Sequence, residues 1–392
     1  MDEDAEVVSL PQAPDAIELR HLRAFVAVAD ELNFGRAAAR LYLSQPALSR
    51  QIRSLERLVG CDLLRRSTHR VELTLAGEAL LDRARGLLRD VDEAVSATRS
   101  VGGELLARIA RHWETFAVVN PADLQELRVA YEGLHGQFEP PPGISVRSVN
   151  AGGVPGLLLT PQPGEPATLL YLHGGGHIAG SAFGYRPLAG ALAEQAGTGV
   201  VVPDYRLAPE HPFPAALQDA VRAYRWLLDR GATRVIVAGD SSGCSLVMSF
   251  LLSVKQQGLA RPAGAILFCP WIDLIAAGRD LPPSDLDEIR RAASGLYLAG
   301  HPADDPLVSP LSADLTGLPP MLIQAATGDP LLDEARELTD HAQDCGVAAR
   351  FELFGVDTHD FHIFWSFLPE AAQALQQAGR FVRDTALATQ AG

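Results

Sequence analysis

From residue 154 onward, short apolar runs alternate with helical stretches, and this alternation limits the fold more than any other feature of the 392-residue chain. The runs fall at 154–160, 168–172, 200–203, 234–238, 265–268, 321–325 and 350–354. Between them, segments such as 215–228, 244–255, 334–344 and 369–385 carry apolar residues at helical spacing. Continuous apolar strands separated by helices are the pattern of a mainly parallel sheet covered on both faces. We therefore expect an α/β domain over about 143–385. The stretch 275–305 interrupts the alternation and reads as a lid or an insertion at a substrate pocket.

The chain before this domain has a different texture. Residues 1–17 are acidic and contain proline, and read as a disordered lead. Residues 18–73 are helical with a short β-like piece at Val71-Glu72-Leu73, and 74–102 continue as one linker helix. Gly102-Gly103 is a candidate break. Residues 103–142 read as further helices that end at the turn Pro140-Pro141-Pro142-Gly143. The formal net charge of the chain is −15, which repels polyanions, yet residues 19–72 carry ten arginines against five acids. A basic island on an acidic protein points to a polyanionic partner. The four cysteines show no Cys-x-x-Cys or metal spacing and are expected to be reduced. The acidic N-terminus leads into no apolar core of a signal peptide, and no run is long enough to span a bilayer. A cytoplasmic protein without a membrane partner is the expectation.

Chemistry enters with Gly239-Asp240-Ser241-Ser242-Gly243. An ordinary glycine-rich loop can carry the same letters. Here, however, the motif follows an apolar strand and opens a helix, the setting in which a tight turn lifts a serine oxygen above a sheet. His173-Gly174-Gly175-Gly176 directly follows the run 168–172, and its glycines let backbone N–H groups come close to a developing oxyanion. Gly175, Gly176 and the N–H of Ser242 are the expected donors, with Gly174 shaping the turn. Asp329 and His359 each follow a strand, in the chain order Ser, Asp, His, at the sheet end where α/β proteins place their sites. Asp329 could also be a helix cap and His359 a surface residue; Asp333 and His362 are the alternatives. His359 with His362, or His173 with His177, lack further well-spaced ligands, so no metal is expected. The reading is Ser241 as nucleophile, His359 as general base and Asp329 as its orienting acid.

Several segments in order carry a family resemblance. They are Tyr171–Gly176, the run Asp204-Tyr205-Arg206-Leu207-Ala208-Pro209-Glu210-His211-Pro212-Phe213-Pro214-Ala215, the Gly239–Gly243 turn, Pro270-Trp271-Ile272-Asp273-Leu274, and Leu315–Pro320. Residues of about 140–382 thereby resemble the hormone-sensitive-lipase-like carboxylesterases, including bacterial ε-lactone hydrolases. The resemblance implies an α/β-hydrolase fold with a mostly parallel eight-stranded sheet and a helical cap. It also implies cleavage of short-acyl or alicyclic esters through an acyl-enzyme, without a cofactor. The chain departs from that pattern at Ser242, where alanine is usual, and at Cys244 and Asp360, where glycine is usual. Asp360 sets a carboxylate beside the base and is expected to raise the pKa of His359 or misdirect it.

In the N-terminal segment, Leu22, Phe25, Val26 and Ala29 form a helical core stripe. Gly35–Leu41 is a small-residue helix, Leu43-Ser44-Gln45 a turn, Gln45–Leu58 a second helix opened by Pro46, and Arg65–Leu73 a wing. The run from Asn33 through Leu43-Ser44-Gln45-Pro46-Ala47-Leu48-Ser49-Arg50-Gln51-Ile52 to Leu75-Ala76-Gly77 resembles the winged helix-turn-helix domain of LysR-type regulators. By that resemblance, Gln45, Pro46, Ser49, Arg50 and Arg53 face the major groove of double-stranded DNA. Arg66 and Arg70 reach phosphates, and the linker helix pairs two subunits. Three functions fit the combination: a regulator whose esterase or lactonase domain senses and destroys its ligand, a regulator whose hydrolase pocket only binds, or an esterase that uses the helix-turn-helix only to dimerise.

Overall fold

A computed structural model describes residues 17–66, 71–117, 123–162, 165–274, 285–302 and 304–387. The chain divides into two units, Met1–Ala107 and Arg108–Gly392.

In the first unit, α1 (Leu19–Glu31), α2 (Phe34–Arg40) and α3 (Gln45–Val59) precede a two-stranded ribbon of β1 (Leu64–Arg66) and β2 (Val71–Leu73). Each helix boundary has a local cause. Asn33 caps α2 by accepting from Arg36 N, and Ser44 caps α3 by accepting from Ala47 N, with Pro46 in the first turn where no N–H is needed. Gly60 ends α3 in the left-handed conformation. Leu22, Phe25, Val28 and Ala29 of α1 pack on Leu48, Ile52 and Leu55 of α3. Val26 lies at the edge of this core, half-buried. Glu56 accepts from the N–H groups of Leu63 and Leu64, each at 3.2 Å, and so ties α3 to the ribbon.

The expected break at Gly102-Gly103 is absent: α4 runs through it, Leu75–Ala117. A glycine costs a helix about 1 kcal/mol relative to alanine, and the Ala, Leu, Arg and Glu residues on both sides offset two of them. The boundary between the units therefore falls inside a helix and not at a loop.

The second unit takes in the end of α4 from Arg108 and continues with α5 (Leu124–Gly136), capped by Asp123. Eight strands follow: β3 (Ile144–Ala151), β4 (Val154–Pro161), β5 (Glu165–Leu172), β6 (Thr198–Pro203), β7 (Ile236–Asp240), β8 (Gly264–Phe268), β9 (Met321–Ala326) and β10 (Ala349–Phe354). They form one sheet in the order β10-β9-β8-β7-β5-β6-β4-β3. Pairing is parallel from β6 through β10, and β4 runs antiparallel to both β3 and β6. The sequence reading missed β3, an edge strand whose half-exposed residues form no continuous apolar run.

Helices α6 (Ala182–Ala196), α7 (Ala215–Asp229), α8 (Ser242–Gln256), α9 (Asp285–Leu298), α10 (Leu332–Asp344) and α11 (Pro369–Leu387) complete the unit. Every residue of β7, β8 and β9 is buried, as is α8 from Ser242 to Val254. A helix apolar all round belongs in the middle of a core. The chain leaves β5 toward β6 and returns to β7 on the other side of β5. The strand order thus reverses between β5 and β7, and open α/β sheets bind their ligands beyond such a reversal.

Candidate active site

Ser241 stands between β7 and α8 with φ 47° and ψ −123°, a backbone region that costs a non-glycine residue about 1–3 kcal/mol. The surroundings enforce it. Ser241 N donates to Phe268 O at 2.9 Å, and Ser241 O accepts from Cys244 N and Trp271 N, each at 3.0 Å. The turn also needs room: a Cβ on Gly243 would run into the carbonyls of Leu172 and His173. Gly239 and Gly243 are therefore glycine because two strand ends and a helix start meet there.

His359, after β10, turns Nε2 to 3.0 Å from Ser241 Oγ. Its Nδ1 donates to Asp329, 3.0 Å from Oδ1 and 3.1 Å from Oδ2. Asp329 follows β9, is buried, and also accepts from Leu331 N at 2.8 Å. Burial would raise its pKa, but His359, the Cys269 thiol and the Leu331 N–H hold it below the ordinary value. The two alternatives lie elsewhere. Asp333 is exposed and faces Arg336. His362 is buried with Nε2 on Gln324 Oε1 at 3.1 Å.

Asp360 also reaches the base, with Oδ2 3.3 Å from Nε2 of His359. Burial alone would lower the imidazole's pKa, yet the carboxylates of Asp329 and Asp360 lift it to about 10. Burial pushes the Asp360 carboxyl well above the carboxylate range, against the pull of His359.

The glycine turn lies over the end of β5. Gly175 and Gly176 hold φ of 111° and 64° and line the cavity in front of Ser241. Ser242 opens α8, so its N–H stands at the positive end of a helix dipole. Gly174 is occupied differently, its N–H donating to Asp240 Oδ1 at 3.0 Å. Asp240 also accepts from Tyr171 at 2.8 Å and Tyr185 at 2.6 Å, and Tyr185 in turn accepts from Tyr131 at 2.8 Å. Burial raises the Asp240 carboxyl to about 6 in spite of these donors. His173 donates Nδ1 to Gly174 O at 2.7 Å and stacks between Tyr185 and Tyr205, and burial lowers its pKa to about 4. His177 pairs Nε2 with Ser245 Oγ at 2.9 Å.

Sequence reasoning missed the supports that come from far along the chain. Arg128 of α5 donates to Ile178 O at 2.7 Å, to Ala208 O at 3.0 Å and to both carboxylate oxygens of Glu210, and so clamps the glycine turn from outside. Trp113 Nε1 donates to Thr358 Oγ1 at 2.9 Å, next to the base. Trp113, Tyr131, Ile178 and Trp271 wall a cavity of about 140 Å³ over Ser241, joined by Ile289, Arg290 and Ala293 from α9. Of the interruption expected at 275–305, the part in α9 thus supplies pocket wall, while 275–284 and 303 lie outside the described residues. Among the described residues, Cys269, Asp329 and His359 form a group whose ligating atoms converge within 4.8 Å. Asp329 and His359 are already bound to each other there, which fits a hydrogen-bonded set better than a cation site.

In the first unit, Gln45, Pro46, Arg50 and Arg53 stand exposed on one face of α3 and Ser49 is half-buried, while Leu48, Ile52 and Leu55 face the core. Arg70 lies outside the described residues, and of Arg66 only the backbone in β1 is described.

A serine held in such an elbow above the reversal point of a parallel sheet is the hallmark of the α/β-hydrolase class. Residues 169–363 match the alpha/beta hydrolase fold family, and residues 19–78 match the bacterial regulatory helix-turn-helix proteins of the lysR family. An acetyl-hydrolase from Streptomyces hygroscopicus is 37% identical over 287 residues, 70% of this chain and 93% of that protein. An esterase from Acinetobacter venetianus is 33% identical over 264 residues, 65% of this chain and 87% of its own length. The crystal structure of an esterase from the bacterial hormone-sensitive lipase family matches with a TM-score of 0.67 at 36% identity, over 71% of this chain and 97% of that one. The chain belongs to this family: it is a serine carboxylic ester hydrolase of the hormone-sensitive-lipase branch, fused behind a LysR-type helix-turn-helix domain. No helix among the described residues is long and apolar enough to cross a membrane.

Proposed function

We propose that Ser241, His359 and Asp329 are the nucleophile, general base and orienting acid of this hydrolase. The observation that carries the reading is the 3.0 Å approach of His359 Nε2 to Ser241 Oγ. Nε2 takes the hydroxyl proton as Oγ attacks the ester carbonyl, and Asp329 keeps the imidazole in the required tautomer and stabilises its cation. The N–H groups of Gly175, Gly176 and Ser242 receive the oxyanion. The imidazolium returns the proton to the leaving alcohol, and water then releases the acid by the same route.

The substrate is a short-acyl or small cyclic ester. A cavity of about 140 Å³ has room for a group the size of benzene, and its wall is mostly apolar. Related proteins point the same way: one is an acetyl-hydrolase, and a crystal structure of the related EstE5 was soaked by p-nitrophenyl butyrate. The N-terminal domain reads double-stranded DNA in the cytoplasm through Gln45, Pro46, Ser49, Arg50 and Arg53, as a homodimer paired through α4, and the ester is the signal. Arg66 and Arg70 belong to the same proposal as phosphate contacts.

Two measurements test this together. Hydrolysis of p-nitrophenyl acetate and butyrate is expected to exceed that of the decanoate, and S241A is expected to abolish all three. In a gel shift with DNA flanking the protein's own gene, binding is expected to change when the ester is added to S241A. Equal rates on short and long acyl chains would overturn the substrate assignment. Absence of DNA binding at low salt would overturn the regulatory one. A pocket that binds its ester but turns it over slowly at neutral pH is the second reading, favoured by the carboxylate of Asp360 on Nε2.

A further inference from the structure

Asp360 is the acid of this site for which the Ser241–His359–Asp329 chemistry has no use. It is 4% exposed and lines the cavity beside Ser241 and His359. Its Oδ2 lies 3.3 Å from the nitrogen that also faces Ser241 Oγ at 3.0 Å. One N–H cannot point fully at both oxygens. Its Oδ1 is buried and makes no hydrogen bond. The backbone of Asp360 is left-handed, φ 48°, a conformation that asparagine and aspartate tolerate and glycine adopts freely.

We propose that Asp360 is a positioning residue acting through His359: it competes with Ser241 for Nε2 and keeps the imidazole protonated, so that hydrolysis requires a more alkaline medium than the triad alone would need. This rests on the catalytic roles given above. The proton balance is simple. At rest Nε2 carries a proton shared toward Asp360 Oδ2 and Ser241 Oγ. Before Ser241 can attack, that proton must leave the His359–Asp360 pair to water, and only then can Nε2 accept the proton leaving Oγ.

The groups around the imidazole agree in sign. Asp329 faces it from the end of β9, Asp240 and Ser241 from the elbow, Cys269 from the end of β8, Tyr131 and His135 from α5, and His362 from its own loop. Burial keeps the Cys269 thiol and the Tyr131 phenol in their neutral forms, and lowers His135 and His362 to about 3. Arg290 of α9 reaches the same cavity but is paired with Glu334. Burial also raises the Asp360 carboxyl, so Asp360 and His359 hold one proton between them, and together with Asp329 this lifts His359 to about 10. Asp329 is common to any such triad. Asp360 is what this chain adds.

The test is the pH dependence of kcat/KM for p-nitrophenyl acetate in the full-length protein, with D360N and D360G beside it. Both variants suit the left-handed backbone, and D360N keeps the side-chain shape while removing the charge. We expect the wild-type rate to go on rising above about pH 8, and the rising limb of both variants to move down by about one to three pH units. At pH 7 their kcat/KM should exceed the wild type by about tenfold or more. A D360N profile that coincides with the wild type overturns the proposal. So does a shift in D360G alone, which would trace to backbone relief and not to charge. Titration of the His359 imidazole by its 15N chemical shift reads the base directly, independently of turnover. A lower midpoint in D360N supports the proposal and an unchanged one overturns it. Wild type silent at every pH, with that midpoint still lowered in D360N, would sink the hydrolytic roles and leave the competition for Nε2 standing.

Discussion

In the helix-turn-helix unit, Gln45, Pro46, Arg50 and Arg53 stand in solvent on α3, while Leu48, Ile52 and Leu55 of the same helix are buried beneath them. In the hydrolase unit the arrangement inverts: Ser241, Asp329 and Asp360 are buried, and His359 retains only a fifth of its side-chain exposure. Exposed arginines act through a field that salt screens and that several residues share. Buried groups act through single contacts whose geometry water cannot average. The first unit should therefore lose function gradually under substitution, and the second abruptly.

The sharpest break is S241A. It should lower kcat by about 10⁴–10⁶-fold while gel-shift affinity for DNA stays at the wild-type value. A parallel loss of DNA binding would mean that the two units do not divide the work as described.

Next comes the pH dependence of stability. The folded pKa of His359 is raised from 6.5 to about 10. Its contribution is therefore fully present below pH 6.5 and is lost as pH rises through about 10. The stability of the hydrolase unit should fall across that window by about a few kcal/mol, read as a lower thermal transition. Calorimetry at pH 6, 8 and 10 checks this, and a flat profile would contradict the charge arrangement around the base.

Tyr185→Phe removes a donor from buried Asp240 and should cost about 1–3 kcal/mol, read by urea unfolding. On the other unit, Arg50→Ala and Arg53→Ala should each weaken DNA binding by about 1–3 kcal/mol if they reach base edges. If they only meet phosphates, each should instead reduce the salt slope by about 1. Titrations at several salt concentrations separate these cases. The smallest effect belongs to Arg36→Ala. Arg36 is 65% exposed and already engaged with Glu31, so stability should change by less than about 1 kcal/mol.

What could be read from the sequence follows from how local each cause is. The elbow at Ser241 is written in five consecutive residues between a strand and a helix. The capping of α3 is written in Ser44, Pro46 and Gly60. β5 to β9 were legible as apolar runs, the fully buried β6, β7, β8 and β9 most plainly, and β4 and the edge strand β10 still carry enough apolar residues to stand out, whereas the opposite edge strand β3 is largely exposed and forms no such run. The persistence of α4 through Gly102-Gly103 was illegible because two weak glycine penalties were read as a break. The clamp from Arg128 to Ile178 and Glu210, and the donors from Tyr171 and Tyr185 to Asp240, join residues that only folding brings together. Spacing along a single chain carries no record of such pairs. Asp360 lies between the two cases: its place beside the base was legible from adjacency, but its reach to Nε2 depends on a left-handed backbone that no letter announces.

The carboxylate of Asp240 grips the N–H of Gly174 with one oxygen while its own backbone leads straight into Ser241. The attacking atom and the glycine turn opposite it are thereby fastened to one rigid bracket. A displacement of either strand end would carry both together, so the gap an ester must fill is set by this one contact and not by the cavity walls.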